Sequence, residues 1–488
     1  MLFNSYIFIF VFLPLALLLW HGANHFGKYK LAQFFIIVMS LWFYGYFNPS
    51  YVLIILTSIV GNYVFSALME RLEHRKLFGI LGISFNLGLL FYFKYFDFFI
   101  ENVNLAFHLN WALKEIALPL GISFFTFQQI SFLADRMMGR AIHYHVLDYV
   151  LYVTYFPQLI AGPIVSHGEL IPQFWEKEKR RFDFDNTLRG IRLFVIGLSK
   201  KVLIADELGK IADAGFSDVG SLDSVSAVLV ILAYTFQLFF DFSGYSDMAL
   251  GIGNMMNLSL PQNFRSPYQS KSVKEFWRRW HITLNAFFTQ YVYIPLGGGR
   301  EGKAKKIRNT MIVFLLSGIW HGANWTFILW GIVNGLAISF ENLPIYEKIH
   351  QKLPDKVNWA ITFLFWNLAI AMFRSESLSQ AMQFYKQLFS FTYTGAVWSL
   401  PASLAGFKNY ALYLVTEHFG GYEAASMMYR IYMLIMFLLA AFLCTRKNSC
   451  DYVQEHQATA SRMWGLAFLL MLCVISFSGI STFLYFNF

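Results

Sequence analysis

Two histidines forty residues apart are the side chains in this sequence best suited to moving a proton. His321 lies in Trp320-His321-Gly322-Ala323-Asn324, one turn after Ser317 and Gly318, and His281 ends the segment Glu275-Phe276-Trp277-Arg278-Arg279-Trp280-His281. A free imidazole titrates at about 6.5, so near neutral pH it can take a proton from an attacking hydroxyl. The small residues around His321 let a substrate or another backbone come close. The plainer role for either histidine is a neutral ring donating one hydrogen bond between helices, and the residues alone leave both roles open. Arg278 and Arg279 beside His281 also suit headgroup anchoring at a membrane boundary.

A second polar group, Asp241-Phe242-Ser243-Gly244-Tyr245-Ser246-Asp247, sets two carboxylates six residues apart among hydroxyls near the end of a long apolar run. Asp241, Ser243, Tyr245 and Asp247 are candidates to contact substrate or line a polar conduit, as are Trp320 and Asn324; the bland alternative is a helix break satisfied by its own side chains. Gly297-Gly298-Gly299-Arg300-Glu301-Gly302-Lys303-Ala304 has the spacing of a phosphate-binding loop, but Ala304 stands where the magnesium-binding Ser or Thr is required. Nucleotide hydrolysis is thereby disfavoured. Arg300 and Lys303 are kept as candidate contacts for the phosphates of a soluble acyl donor. GxSxG and HExxH motifs are absent. Cys444, Cys450 and Cys473 form neither a CxxC pair nor a zinc spacing, so no metal is expected.

The elements that must hold these residues are membrane helices. Of 488 residues, 57% are hydrophobic and only 14% charged, against about 25% charged in soluble proteins. A water-soluble fold of this size could not cover itself with so few charges. The segment 2–20 lacks the basic start and small-residue cleavage site of a signal peptide and reads as a first transmembrane helix. Runs of about 20 apolar residues predict an all-α polytopic protein with about ten to twelve crossings, some short or broken. Expected spans include 117–134, 146–165, 188–207, 309–341 and 464–485. The +9 charge sits in loops rather than on a basic face, which speaks against nucleic acid.

Lys28, Lys30, Arg71, Arg75 and Lys76 follow the first and third spans, so the positive-inside bias starts the N-terminus outside the cytoplasm. The segment 374–425, poor in charge, falls outside or lies along the membrane surface. Basic loops flank 309–341 on both sides, so this stretch enters and leaves on the cytoplasmic face. An arm from Asn309 to Trp320 is about 18 Å of helix, little beyond mid-bilayer. Residues Trp320–Asn324 then form the apex of a re-entrant or strongly tilted hairpin. Irregular backbone at such depth must be buried in protein or lined by water, and an ionisable residue there is a functional candidate by default.

Five blocks in order carry a resemblance: Pro119–Phe127, Phe156–Pro163, Asp241–Asp247, Phe276–His281 and Trp320–Gly322. The chain resembles the membrane-bound O-acyltransferase (MBOAT) family, in its bacterial alginate and peptidoglycan O-acetylation branch, over residues 1 to about 375. The C-terminal part resembles it only in hydrophobicity. The resemblance implies that His321 is the catalytic histidine and His281 the second histidine, within a ring of tilted helices with a funnel on each face. It also implies one membrane-embedded acyltransferase domain over 1–488. One departure stands out: Asn285-Ala286-Phe287-Phe288-Thr289-Gln290-Tyr291 replaces the family's Ser-x-Trp-Leu-Arg-Asp-Tyr, losing an Arg–Asp pair.

The expected activity is histidine-dependent transfer of an acyl group, in the first place acetyl, to a hydroxyl on an extracytoplasmic polysaccharide. No permanently bound cofactor is expected; the donor is acetyl-CoA or a carrier thioester. Transfer proceeds directly or through a periplasmic or membrane-bound, esterase-like partner. The expected setting is the bacterial cytoplasmic (inner) membrane. Two other classes remain in view: a transporter or channel, which would also have broken helices at the midplane but for which no internal repeat is seen, and a scaffold of an envelope polysaccharide complex, which needs neither histidine.

Overall fold

The computed structural model describes residues 1–404, 418, 421–477 and 483–484, and every regular element among them is a helix. Among the described residues six helices are long and apolar enough to cross a membrane: Phe8–His25, Ser50–Arg71, Arg75–Phe107, Ser224–Met255, Asp355–Arg374 and Ser426–Cys444. Trp325–Glu341 and Pro344–Lys352 would make a seventh if counted together, although they meet at a 78° bend. Side chains such as Leu18 and Leu53 are 71% and 68% exposed on these helices. In lipid that exposure is no penalty.

The polytopic all-α class is therefore what the composition predicts, and the shorter apolar helices Tyr29–Gly45 and Ala460–Ile475 join the six long ones among the described residues. Other expected spans are shortened or broken for local reasons. Pro119 and Gly121, the latter at φ 70°, delay the helix expected at 117–134 until Ile122. The stretch 146–165 breaks at Tyr155 into Val146–Thr154 and Phe156–Leu159, with Pro157 in the first turn of the second piece. Residues 405–417 and 419–420 of the expected outer segment, and most of the end of the last expected span, lie outside the described residues.

Contacts divide the chain into two interleaved units. The first comprises Met1–Phe194, Ser246–Gln262 and Thr283–Pro295. Phe8, Phe12, Phe43 and Phe156 pack in its core, with ring centroids 5.1–6.3 Å apart. It also buries a polar array: the Tyr291 hydroxyl donates to Asp135 at 2.7 Å, and His167 lies 3.1 Å from the same carboxylate oxygen. Tyr291, the last residue of the block Asn285–Tyr291, thus has a hydrogen-bonding task inside this unit.

The second unit comprises Val195–Tyr245, Asn263–Ile282 and Leu296–Phe488. Its centre is a hairpin of helices Lys303–His321 and Trp325–Glu341. The hairpin closes on glycine. A Cβ at Gly318 would lie 2.4 Å from the Phe327 carbonyl oxygen, and one at Gly331 would lie 2.4 Å from that of Phe314. The two backbones touch where no side chain fits. Gly331→Ala should therefore cost about 1–3 kcal/mol, the range for overpacking, and Gly331→Val more. Thermal unfolding in detergent measures this; an unchanged midpoint for Gly331→Val would mean the helices do not meet there.

Candidate active site

The site is assembled from the hairpin outward. Helix Lys303–His321 begins six residues earlier than the apolar pattern suggests, because Lys303–Arg308 continue the helix as its basic first turns. Its 19 residues span about 28 Å. The chain then leaves the helix at Gly322, which is extended at φ −167° and ψ 155°. Asn324 restarts it: its side-chain oxygen accepts from Thr326 N at 3.0 Å, and its amide donates to the Glu376 carbonyl at 2.7 Å. That cap is worth about 1 kcal/mol and gives Asn324 a structural task.

His321 is thus the last residue of its helix, at the apex of the hairpin, and it is buried. Three rings surround it: Trp320 at 4.9 Å, Trp330 at 5.0 Å and Phe373 at 5.3 Å between centroids. Trp330 comes from the returning helix and Phe373 from Asp355–Arg374. Trp330 and Phe373 pack on each other at 5.1 Å, so two walls of the box support one another.

His281 arrives on a separate segment. Helix Val273–Arg279 starts with the Ser272 side chain accepting from Glu275 N. It docks on the hairpin through Trp277, whose ring lies 5.3 Å from Phe314 and 5.6 Å from Trp330. The Trp277 indole N–H also donates to Asn334 Oδ1 at 3.2 Å. Phe276 and Trp280 pack on Trp366 at 4.1 and 5.0 Å. Aromatic pairs of this kind contribute about 0.5–1.5 kcal/mol each beyond the area they bury.

That anchoring holds His281 at φ 46°, a conformation uncommon for a residue with a Cβ and one that surrounding structure must impose. Arg265 N bonds the Arg279 carbonyl at 2.9 Å and Ile282 N bonds the Asn263 carbonyl at 3.0 Å, pinning the turn on both sides. The buried His281 ring lies 4.8 Å from Phe242 and 6.2 Å from Trp320. Trp320 touches both histidines. The two imidazoles and this indole form one buried cluster in the second unit.

The other candidates are placed differently. Asp241 belongs to a buried ion cluster: Lys201 Nζ lies 2.5 Å from Asp241 and 3.0 Å from Asp206, all three side chains at most 8% exposed. The Leu484 N–H donates to the other Asp241 oxygen at 2.9 Å. Ser243 is buried and its hydroxyl finds no partner among the described residues. The Tyr245 ring packs edge-on against Phe483 at 4.6 Å. Asp247 is buried and belongs to the first unit. Arg300 and Lys303 are exposed, Lys303 at the start of helix Lys303–His321 and Arg300 on the preceding turn, which is latched by Asn309, whose amide donates to the Leu296 and Gly298 carbonyls at 3.0 and 2.8 Å.

Sequence reasoning missed Lys201 and Asp206, Trp330 and Phe373. A signal existed for Lys201, a lysine within the apolar run 193–205, which here forms a π-helical turn, Lys200–Ala205. Such turns recur at functional positions. Nothing in the sequence singles out Phe373. Among the described residues no group of three or more His, Cys, Asp or Glu can hold a metal.

Comparison with known proteins bears on this geometry. The model of the membrane-bound O-acyltransferase family matches residues 108–383. The chain is 38% identical to the peptidoglycan O-acetyltransferase of Helicobacter pylori, over all of this chain and 98% of the relative. It is 36% identical to the "Probable alginate O-acetylase AlgI" of Pseudomonas aeruginosa, covering 86% of this chain and 81% of that one. It is 29% identical to the teichoic acid D-alanyltransferase of Bacillus subtilis, over 48% and 60% of the two chains. The first of these similarities runs well past residue 375, so the C-terminal part shares more than hydrophobicity with a relative.

Proposed function

Because this chain belongs to the membrane-bound O-acyltransferase family, we propose that it moves an acetyl group from a cytoplasmic thioester to a hydroxyl of a cell-envelope polysaccharide, with His321 as the base. The observation that carries the reading is the buried His281–Trp320–His321 cluster at the apex of the helical hairpin. A histidine placed there is screened from bulk water yet flanked by a helix end and an irregular turn. Carbonyls at the end of helix Lys303–His321 present the negative pole of its dipole, which favours the cation that His321 becomes on taking a proton.

The reaction follows from that placement. His321 accepts the hydroxyl proton as the oxygen attacks the thioester carbonyl. The new O–C bond forms, the C–S bond breaks, and the thiolate leaves, taking the proton back from the imidazolium. His281 orients the acyl group or polarises its carbonyl. The aromatic box excludes water, the competing nucleophile.

Two relatives are named for O-acetylation of peptidoglycan and alginate, which favours an envelope polysaccharide as the acceptor. The transfer is direct or is completed by an esterase-like partner outside the cytoplasm. A cytoplasmic thioester donor favours the inner membrane as the setting, and the distribution of basic loops favours an N-terminus outside the cytoplasm.

Sealed vesicles test this reading. Labelled acetyl thioester supplied to the face where a Lys305→Cys variant reacts with an impermeant reagent should transfer label to a glycan or partner on the opposite face. Label confined to the donor face, or Lys305→Cys reacting only on the acceptor face, would contradict it.

A further inference from the structure

The charge that follows helix Asp355–Arg374 has an uncommon sign for its place. That helix starts within the basic stretch 348–356, so the positive-inside bias puts its far end outside the cytoplasm. From residue 378 to residue 416 the sequence then holds no Asp or Glu, while Lys386 and Lys408 carry positive charge. Cations are what the bias disfavours on an outer face, and an anionic ligand gives them a use.

The described part of this segment also presents rings to its surroundings. Met382, Phe389, Phe391, Tyr393 and Trp398 are each more than half exposed, Phe391 at 89%. Phe391 stands at φ 54°, a conformation uncommon for a residue with a Cβ, and its ring gains no burial from it. The turn is held firmly from below. Buried Asp223, which precedes helix Ser224–Met255, accepts from Thr394 N at 2.8 Å, Gly395 N at 3.1 Å and the Thr394 hydroxyl at 3.3 Å. Ser224 N donates to the Thr392 carbonyl at 3.2 Å. Strain persists where surrounding structure imposes it, and here the imposed turn leaves its rings in the open.

Trp398 is the most firmly fixed of these rings. Its indole N–H donates to the Tyr393 hydroxyl at 2.8 Å. The Arg430 guanidinium, from helix Gly421–Cys444, lies over the indole 4.8 Å from the ring centre. A guanidinium stacked on an aromatic face keeps its N–H donors in its own plane, directed past the rim of the ring. One face of the indole is thus covered and its polar edge is tied, while 51% of the residue stays exposed. A flat apolar face beside such a cation suits a sugar ring that carries a carboxylate. The sugar C–H groups meet the electron-rich face, and the guanidinium takes the carboxylate as a bidentate pair.

We infer that Trp398 and Arg430 form a docking subsite for a carboxylate-bearing glycan on the outer face, with Tyr393 widening the platform. The inference rests on the acyltransferase reading above and narrows its acceptor to an acidic polysaccharide.

The test uses the full chain in phosphatidylcholine nanodiscs with two probes, soluble peptidoglycan fragments and mannuronic acid oligomers, each also prepared with its carboxyl groups amidated. At least one acidic probe should bind the parent, and amidation should weaken that binding about tenfold or more, as for loss of a charge-assisted pair. Trp398→Ala and Arg430→Gln should each weaken it to a similar extent. Lys305→Gln, in the basic loop assigned to the cytoplasm, should bind like the parent. If Trp398→Ala does not fold, Trp398→Leu takes its place. No binding of either acidic probe by the parent overturns the inference, as does equal binding of acidic and amidated forms, or parent-like binding by either variant. So does quenching by brominated lipid of the Trp398 fluorescence, taken as parent minus Trp398→Phe, since the ring is then a bilayer anchor. Failure here is separable from failure of the reaction. Binding needs no proton transfer, so His321→Ala should hold the acidic probe as the parent does, and a parent chain that binds it but transfers no acetyl group fails the reaction alone.

Discussion

His321→Ala lowers acyl transfer by roughly 10²–10⁴-fold, the range for removal of a positioned general base, while the protein stays folded. Its fold survives because the walls of the box hold each other: Trp330 and Phe373 pack at 5.1 Å, and Phe327 and Phe373 at 4.8 Å, without the imidazole. His281→Ala costs less activity, because water can partly replace an orienting group. The contrast is diagnostic. If His321 merely joined helices, His321→Ala would lose yield and thermal stability while activity per folded molecule stayed near that of the parent. Activity must therefore be normalised to protein that remains monodisperse in detergent.

Lys201→Met produces the largest loss of stability, about 3–5 kcal/mol, the range for removing one partner of a buried ion pair. Lys201 is held between Asp241 and Asp206, with all three side chains nearly excluded from solvent. Taking away the cation leaves two carboxylates facing each other in apolar surroundings. Lys201→Met/Asp241→Asn should recover part of the loss, since the carboxylate nearest the lysine is then neutral. Asp241→Asn alone separates two roles for that residue. As an ion-pair partner it loses thermal stability; as a substrate contact it would keep stability and lose activity. The expected outcome is the former. A melting temperature for Lys201→Met equal to that of the parent would remove the ion cluster from the account.

Much of this arrangement was legible in the sequence because charge at helix ends is read one residue at a time. Basic residues on both sides of 309–341 required a hairpin, and Trp320–Asn324 was the stretch available for its apex; the chain does reverse there. The family blocks pointed to the same histidine. The start of the first arm was misjudged by six residues, since Lys303–Arg308 look like a loop to hydropathy yet extend the helix.

What the sequence could not show depends on which side chain meets which. Asp241 looked like a conduit residue because its partner, Lys201, lies forty positions away on another element. Asn324 looked like a polar group at an apex, and its cap became visible only with Thr326 N and the Glu376 carbonyl in place. His281 was suspected from its neighbours, but its approach to Trp320 follows from Trp277 packing edge-on against the hairpin. Pairings of this kind are long-range packing, which no periodicity records.

The central claim is that His321 takes the proton in acyl transfer, and His321→Gln tests it most directly. Glutamine keeps polar side-chain bulk and hydrogen bonding in the aromatic box but cannot accept a proton. The measurement is initial rate of transfer from labelled acetyl thioester by purified, reconstituted protein, per mole of folded chain. The account predicts a rate for His321→Gln as low as that for His321→Ala, with thermal stability close to that of the parent. A folded His321→Gln protein that transfers acetyl groups at near the parent rate would contradict it.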